Sequence, residues 1–314
     1  MQKQSTIKEV DRVEIISLID NNVDVISPLQ RKEVQKFREW ILLNRHFSLP
    51  VAEHGLSLLV KLFVNDTFHA ILFDCGLSSS GVINNTKRMG IRLTKIEFLV
   101  ISHGHYDHFG GLLNVTKNIG KKDLPIIVHE DALKIRGKKI QDGSFTEYPR
   151  FPEETNVMGK FLRIKNSTLF CNSMFLVTGE IERKTNFEKG LSNNFVFSNG
   201  KWVPDPWIWD DQALILNVKN KGLIVVSGCA HAGIINTIKF AQKITGVKKI
   251  FSIIGGFHLG KDENRIKQTA EILRKINPEL IAPMHCTSWQ SKCMFSKSIP
   301  HAFVWNSIGN LYQL

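Results

Sequence analysis

Cysteine is sparse in this 314-residue chain, and none of its five (Cys75, Cys171, Cys229, Cys286, Cys293) stands in a CxxC pair. An odd, scattered set argues against a disulfide framework and favours a reducing compartment, so any role for a thiol has to be argued singly. No apolar run reaches the roughly 18 residues that a membrane-spanning helix needs. The opening MQKQSTIKEV is polar and lacks the apolar segment of a secretory signal. No linker rich in Pro, Gly or Ser divides the sequence, no short-period repeat runs through it, and no dense basic run marks a nucleic-acid-binding insertion. These absences lead to the expectation of a cytoplasmic protein folded as one domain over residues 1–314, with neither membrane nor nucleic acid among its partners.

A hydrophobic content of 43% is enough for a substantial core. Lys and Arg exceed Asp and Glu, 41 against 29, for a formal net charge of +12. The basic residues are dispersed, with only short KK pairs at 121–122, 138–139 and 248–249. Most of that charge reads as a solvated surface, although it also suits phosphorylated small molecules.

Residues 12–20 read as a β-branched strand, and 56–64 with 67–74 as a hairpin turning at Asn65-Asp66. A helix over 79–89 leads to a strand at 96–101, a helix beginning FGGLLNV, and a strand PIIVH at 125–129. Residues 134–166 read as an irregular insertion or mobile flap. Strand-like runs return at 169–178, 194–198, 212–218 and 222–227. A helix over 233–243, the strand KKIFSIIGG, a helix over 263–276 and the strand ELIAPMH then alternate as in βαβ units. The fold class is α/β.

The stretch VISHGHYDHFGG places His103, His105, Asp107 and His108 within six residues, directly after an apolar strand. Imidazole and carboxylate hold borderline transition metals. Alternate residues of an extended loop project to one side, so His103 and His105 can grip one ion. Asp107 and His108, at the following turn, can reach a second. A helix start ringed by surface histidines, with Asp107 as a cap, is the bland alternative; four such residues at this spacing make it the weaker one.

SHGHYDH matches the H-x-H-x-D-H motif, and the chain thereby resembles the metallo-β-lactamase superfamily. That resemblance implies the αββα sandwich of the metallo-β-lactamase type and one or two divalent metal ions (Zn, Mn or Mg). FDCG at Asp74 to Gly76 is similar to the turn that precedes the motif, with Asp74 implied as a supporting carboxylate rather than a ligand. His285, in IAPMHC, matches the last ligand. Cys229, in VSGCAH, falls at the bridging position, with His231 two residues beyond. His231 is preferred as ligand, since neutral imidazole binds without thiolate formation, and Cys229 is then a small buried residue. Where the superfamily has a further histidine, this chain has Trp209–Gln212. Asp211 or Asp210 is left as an oxygen ligand there, which would suit Mg²⁺ or Mn²⁺; a solvated turn is the equal alternative.

LIDNNVD, SGCAHAGIINT, IIGGFHLG and APMHCT resemble a narrower branch, the 7,8-dihydropterin-6-methyl-4-(β-D-ribofuranosyl)aminobenzene-5′-phosphate synthases of methanopterin biosynthesis. This implies condensation of a dihydropterin-methyl diphosphate with a ribofuranosyl-aminobenzene phosphate. Asp107 and His258, the latter in GGFHLG, are the expected catalytic residues, with His258 donating to a substrate phosphate. Trp202, Trp207 and Trp209 are candidates for stacking on a pterin or aryl ring, against the commoner fate of core packing. The runner-up is a metallohydrolase of a phosphodiester, lactone or thioester. A nuclease and a non-catalytic binding module stand further back, and a homo-oligomer is left open.

Overall fold

The computed structural model of the protein describes residues 6–28, 31–41 and 48–314. The first five residues of the polar opening lie outside it.

The hairpin Ser57–Val64 and Thr67–Phe73 shows why the chain builds layers. Side chains alternate along a strand, and here Leu58, Val60 and Leu62 enter one core while Leu59 enters another. Ala213–Val218 repeats the pattern: Leu214, Leu216 and Val218 face inward, Ala213 and Ile215 outward. Strands apolar on both faces must be covered on both faces. Two sheets therefore pack on each other through Leu58, Val60, Phe73, Phe175, Leu216 and Val226, and each carries helices on its other side. Leu112, Val115 and Ile119 of helix Leu112–Ile119 cover the first sheet. Ile235 and Ile238 of helix Ile234–Thr245 cover the second, with Ile266 and Leu273 of helix Glu263–Ile276. The result is αββα.

The first sheet has eight strands, ordered Lys160–Ile164, Pro125–His129, Phe98–Val100, Thr67–Phe73, Ser57–Val64, Arg12–Ile19, Leu311–Gln313 and Val34–Gln35. In the second, Thr168–Phe170, Phe175–Val177, Ala213–Val218, Gly222–Ser227, Ile250–Gly256 and Leu280–Met284 follow in order, and Glu9–Val10 pairs with Ala213–Val218. Strands ending at Phe73 and Val100 are parallel, as are those ending at Ser227, Gly256 and Met284. Their carboxyl ends thus open at one edge of the sandwich, where α/β sheets place ligands.

Helix Glu263–Ile276 is capped locally, Asp262 accepting the Arg265 N–H at 3.0 Å, and it ends on left-handed Asn277. Helix Ile234–Thr245 is capped from a distance, with Glu188 accepting the N–H groups of Ile235 and Asn236 at 2.9 and 2.8 Å. No described helix is long and apolar enough to cross a membrane.

The expectation of an irregular insertion at 134–166 is corrected. Lys160–Ile164 is an edge strand of the first sheet. Arg136–Lys139 and Phe145–Glu147 join Phe195–Ser198 and Lys201–Pro204 in a third, four-stranded sheet. Its strands are short and lysine-bearing, and its halves are far apart in the chain, so no alternation announced it.

Candidate metal centre

The HGHYDH loop leaves the first sheet after Val100 and is pinned by two carboxylates. Asp74 accepts the Ser102 N–H and hydroxyl, both at 2.7 Å, and Asp210 accepts the Gly104 N–H at 2.7 Å. A Cβ on Gly104 would lie 2.2 Å from the Ala132 carbonyl oxygen, and one on Gly228 would lie 2.0 Å from the Ser102 hydroxyl. Only glycine permits this approach of the two sheets' loops. Asp74, Ala230, His258 and His285, at the ends of four strands, all have positive φ, between 41° and 61°. Non-glycine residues hold such backbone only when their surroundings over-determine it, and such strain clusters at functional sites.

Six side chains converge as two triads. In the first, His103 Nε2, His105 Nδ1 and His231 Nε2 stand 3.0, 3.1 and 3.2 Å from one another. In the second, Asp107 Oδ2 is 3.0 Å from His285 Nε2 and 3.8 Å from His108 Nε2. Cys229 Sγ lies 3.2 Å from His108 Nε2, next to both triads. A tetrahedral ion with metal–nitrogen bonds of about 2.0–2.1 Å spaces its ligands by about 3.3 Å. The first triad is close to that spacing. Neutral imidazoles, each with one ring proton, cannot satisfy one another in a closed triangle of nitrogens. His285 Nε2 is moreover buried without a hydrogen-bond partner. The first triad fits a divalent cation, and Asp107 with His285, beside His108 and Cys229, marks a second candidate site.

The electrostatics favour ligation. Burial pushes His103 and His231 well below the ordinary imidazole value, with neighbouring imidazoles adding to the effect. Burial and then the Arg136 charge bring His105 down to about 4. All three rings keep a free lone pair at neutral pH. Burial alone would also lower His108, but the charges of Asp74 and Asp107 outweigh it and raise it to about 9. Burial would raise Asp107, but the His108 charge and the hydrogen bond from His54 hold it well below the usual carboxylate range. The second triad is thus a charged group awaiting exchange of a proton for a metal ion.

His105, Asp107 and His231 reach a cleft of about 800 Å³, walled by Leu77, Tyr148, Leu191, Asn193 and His258, with Lys138 at its side.

The family model of the metallo-β-lactamase superfamily matches residues 55–166. The chain is 32% identical over 269 residues to the 7,8-dihydropterin-6-methyl-4-(β-D-ribofuranosyl)-aminobenzene-5′-phosphate synthase of Methanocaldococcus jannaschii, covering 80% of this chain and 87% of that one. An uncharacterized protein of the same organism is 30% identical over 267 residues, covering 83% and 93%. The chain belongs to the metallo-β-lactamase superfamily. The superfamily fold, expected from the motif, is the fold found. Among solved structures, Tm1679, described as a metal-dependent hydrolase of the β-lactamase superfamily, superposes with a TM-score of 0.71 at 24% identity, covering 96% of this chain and 99% of that one. YhfI of Bacillus subtilis superposes with a TM-score of 0.55 at 12% identity, covering 97% and 100%.

The expected oxygen ligands, Asp210 and Asp211, make contacts of their own. Asp210 forms a buried ion pair with Arg136, Oδ1 to Nη2 at 2.6 Å, besides its bond to Gly104. Asp211 accepts the Ala232 N–H at 2.9 Å, and burial raises its carboxyl to about 6. Neither shares a possible metal-binding group among the described residues. The turn at Ile208, with φ of 48°, directs both carboxylates to the loops beside the site. His231 completes the first triad instead. Cys229, expected only to fill space, turns its sulfur onto His108. Burial and the Cys286 thiol keep its pKa well above the ordinary thiol value.

The three tryptophans pack against other side chains and not in the cleft, the commoner of the two fates. Trp202 stacks on Phe145 in the third sheet, with ring centroids 5.4 Å apart. Trp207 and Trp209 pack against the Arg183 guanidinium, which lies 5.6 and 4.8 Å from their ring centroids. None of the three is among the residues lining the cleft; its tyrosines are Tyr106 and Tyr148, the latter edge-on to His105 at 6.1 Å. His258 does face the cleft, its ring 4.4 Å from His231 and its Nδ1 buried without a partner. The residues that sequence reasoning missed are His54, 3.4 Å from Asp107, and Cys286, whose sulfur accepts the His258 N–H at 3.3 Å. Cys286 adjoins His285 in a quoted motif and could have been found; His54 stands in no motif.

Proposed function

We propose that the chain is a metal-dependent synthase condensing a dihydropterin-methyl diphosphate with a ribofuranosyl-aminobenzene phosphate. The observation that carries this is the likeness, across most of the chain, to the M. jannaschii synthase of that name, joined to a cleft that His105, Asp107 and His231 of the two triads line. Ions held by His103, His105 and His231, and by Asp107, His108 and His285, would supply Lewis-acid stabilisation of the departing diphosphate. The nitrogen-only first triad suits Zn²⁺ better than Mg²⁺, replacing the hard-ion preference that rested on Asp211.

The side chains around the cleft have roles of their own. Asp107 holds His285 in place. His258 has a buried nitrogen free to donate to a phosphate oxygen. Lys138 is the sole Lys or Arg among the residues lining the cleft and supplies charge for a second phosphate. Tyr148 and Leu191 give an apolar wall for a ring and limit the water that competes with the amine.

The test is the reaction of both substrates in ¹⁸O-labelled water. Coupled product without label, with release of diphosphate, is expected. Labelled pterin alcohol with untouched amine would identify a hydrolase, and the synthase assignment fails.

A further inference from the structure

The quoted motif LIDNNVD lies far from the metal ligands in sequence, yet its Asp20 and Asn21 grip one of them. Asp20 Oδ1 accepts the His285 N–H at 2.8 Å and the Asn21 N–H at 2.7 Å, while its Oδ2 accepts the Asn306 amide at 2.6 Å. This holds the backbone of His285, whose φ is 46°. Asn21 then touches four groups: its Nδ2 lies 3.3 Å from the His285 carbonyl oxygen and 3.2 Å from His54 Nδ1. Its Oδ1 lies 3.4 Å from the Gly55 nitrogen and 3.2 Å from His285 Nδ1.

Two of those partners leave no choice about the amide. A backbone carbonyl only accepts and a backbone N–H only donates, so Nδ2 faces His285 O and Oδ1 faces Gly55. The two imidazoles must comply. His285 Nδ1 meets an acceptor and therefore carries a proton, which leaves Nε2, 3.0 Å from Asp107 Oδ2, as the ring nitrogen open to an ion. His54 Nδ1 meets a donor and therefore carries none, which puts the proton on Nε2, 3.4 Å from Asp107 Oδ2. Although His54, Asp107 and His285 crowd together as one possible ligand group, only His285 offers its nitrogen to an ion.

We propose that Asn21 is a positioning residue that sets opposite tautomers on these two histidines, making His285 a metal ligand and His54 a hydrogen-bond donor to Asp107. The assignment is independent of which reaction the cleft carries.

Long-range ¹H–¹⁵N NMR of the full, zinc-loaded chain reads both tautomers directly. Protonated Nδ1 in His285 with protonated Nε2 in His54 is expected; the same tautomer in both rings, or the reverse pair, overturns the proposal. Asn21→Asp offers an acceptor where the amide donates, so it should turn His54 over to the Nδ1–H form and leave His285 unchanged. Asn21→Leu should weaken the second of two Zn²⁺ ions by about 10–100-fold, as loss of a ligand's supporting partner does, with the first ion held as before. Equal affinity for the second ion in wild type and Asn21→Leu would also overturn it. Should a variant fold poorly, the wild-type tautomers decide the matter alone.

Discussion

His108 Nδ1 lies 2.6 Å from Asp74 Oδ2, with both side chains wholly shielded from solvent. The carboxylate fixes which nitrogen of the ring faces inward and leaves Nε2 directed at Cys229 and Asp107. A carboxylate behind a ligating imidazole also raises its basicity. Asp74→Asn should therefore weaken the second ion by about 10–100-fold while sparing the first. Competition of zinc-loaded protein with a chromophoric chelator measures both steps; equal loss at both sites would contradict the separation.

The first triad can be tested without the second. His103→Ala with His105→Ala removes two of the three nitrogens of that triad, and neither Asp210 nor Asp211 shares a possible metal-binding group among the described residues. One equivalent of metal should be lost, with the far-ultraviolet circular dichroism retained. Full metal retention would refute the assignment.

The bridging position separates two neighbours. His231→Ala should empty the first triad. Cys229→Ser keeps a small polar group beside His108 but replaces sulfur, so it should lower affinity for the second ion and leave the first intact. In the Co²⁺-substituted protein, loss of a sulfur-to-metal charge-transfer band in Cys229→Ser would be the direct sign. An identical spectrum would return Cys229 to a packing role.

What was legible in the sequence follows how local each signal is. HGHYDH puts four ligands in one loop, and the αββα layers follow from strands such as Ala213–Val218 that are apolar on both faces. His231 and His285 came from strand-end motifs, because a strand's end fixes where the next residue points. Asp211 lies outside the possible metal-binding groups of the described residues, a placement that depends on the turn at Ile208, which is not visible as a pattern. Which groups the tryptophans pack against was not legible, because Phe145 and Arg183 belong to a third sheet and a loop assembled from separate stretches. Asn21 could not be read at all: its partner His285 lies 264 residues away.

The Arg136–Asp210 pair supports the last prediction. Both side chains are almost fully buried, and Arg136 Nη2 also donates to the Asp131 carbonyl at 3.0 Å. The pair ties the third sheet to the metal loop, since the other oxygen of Asp210 accepts the Gly104 N–H. Removing one partner of a buried pair strands the other's charge and costs about 3–5 kcal/mol, whereas replacing both by apolar residues of similar volume is often near neutral. Asp210→Ala should accordingly lower the denaturation midpoint sharply. Arg136→Met with Asp210→Leu should recover most of that loss, but not the hydrogen bond to Gly104. The double variant is therefore expected to be stable yet weaker at the first ion, which His103 and His105 hold from either side of that glycine. Chemical denaturation and zinc titration on the same samples separate the two effects. If the double variant bound the first ion as tightly as wild type, Asp210 would serve stability alone.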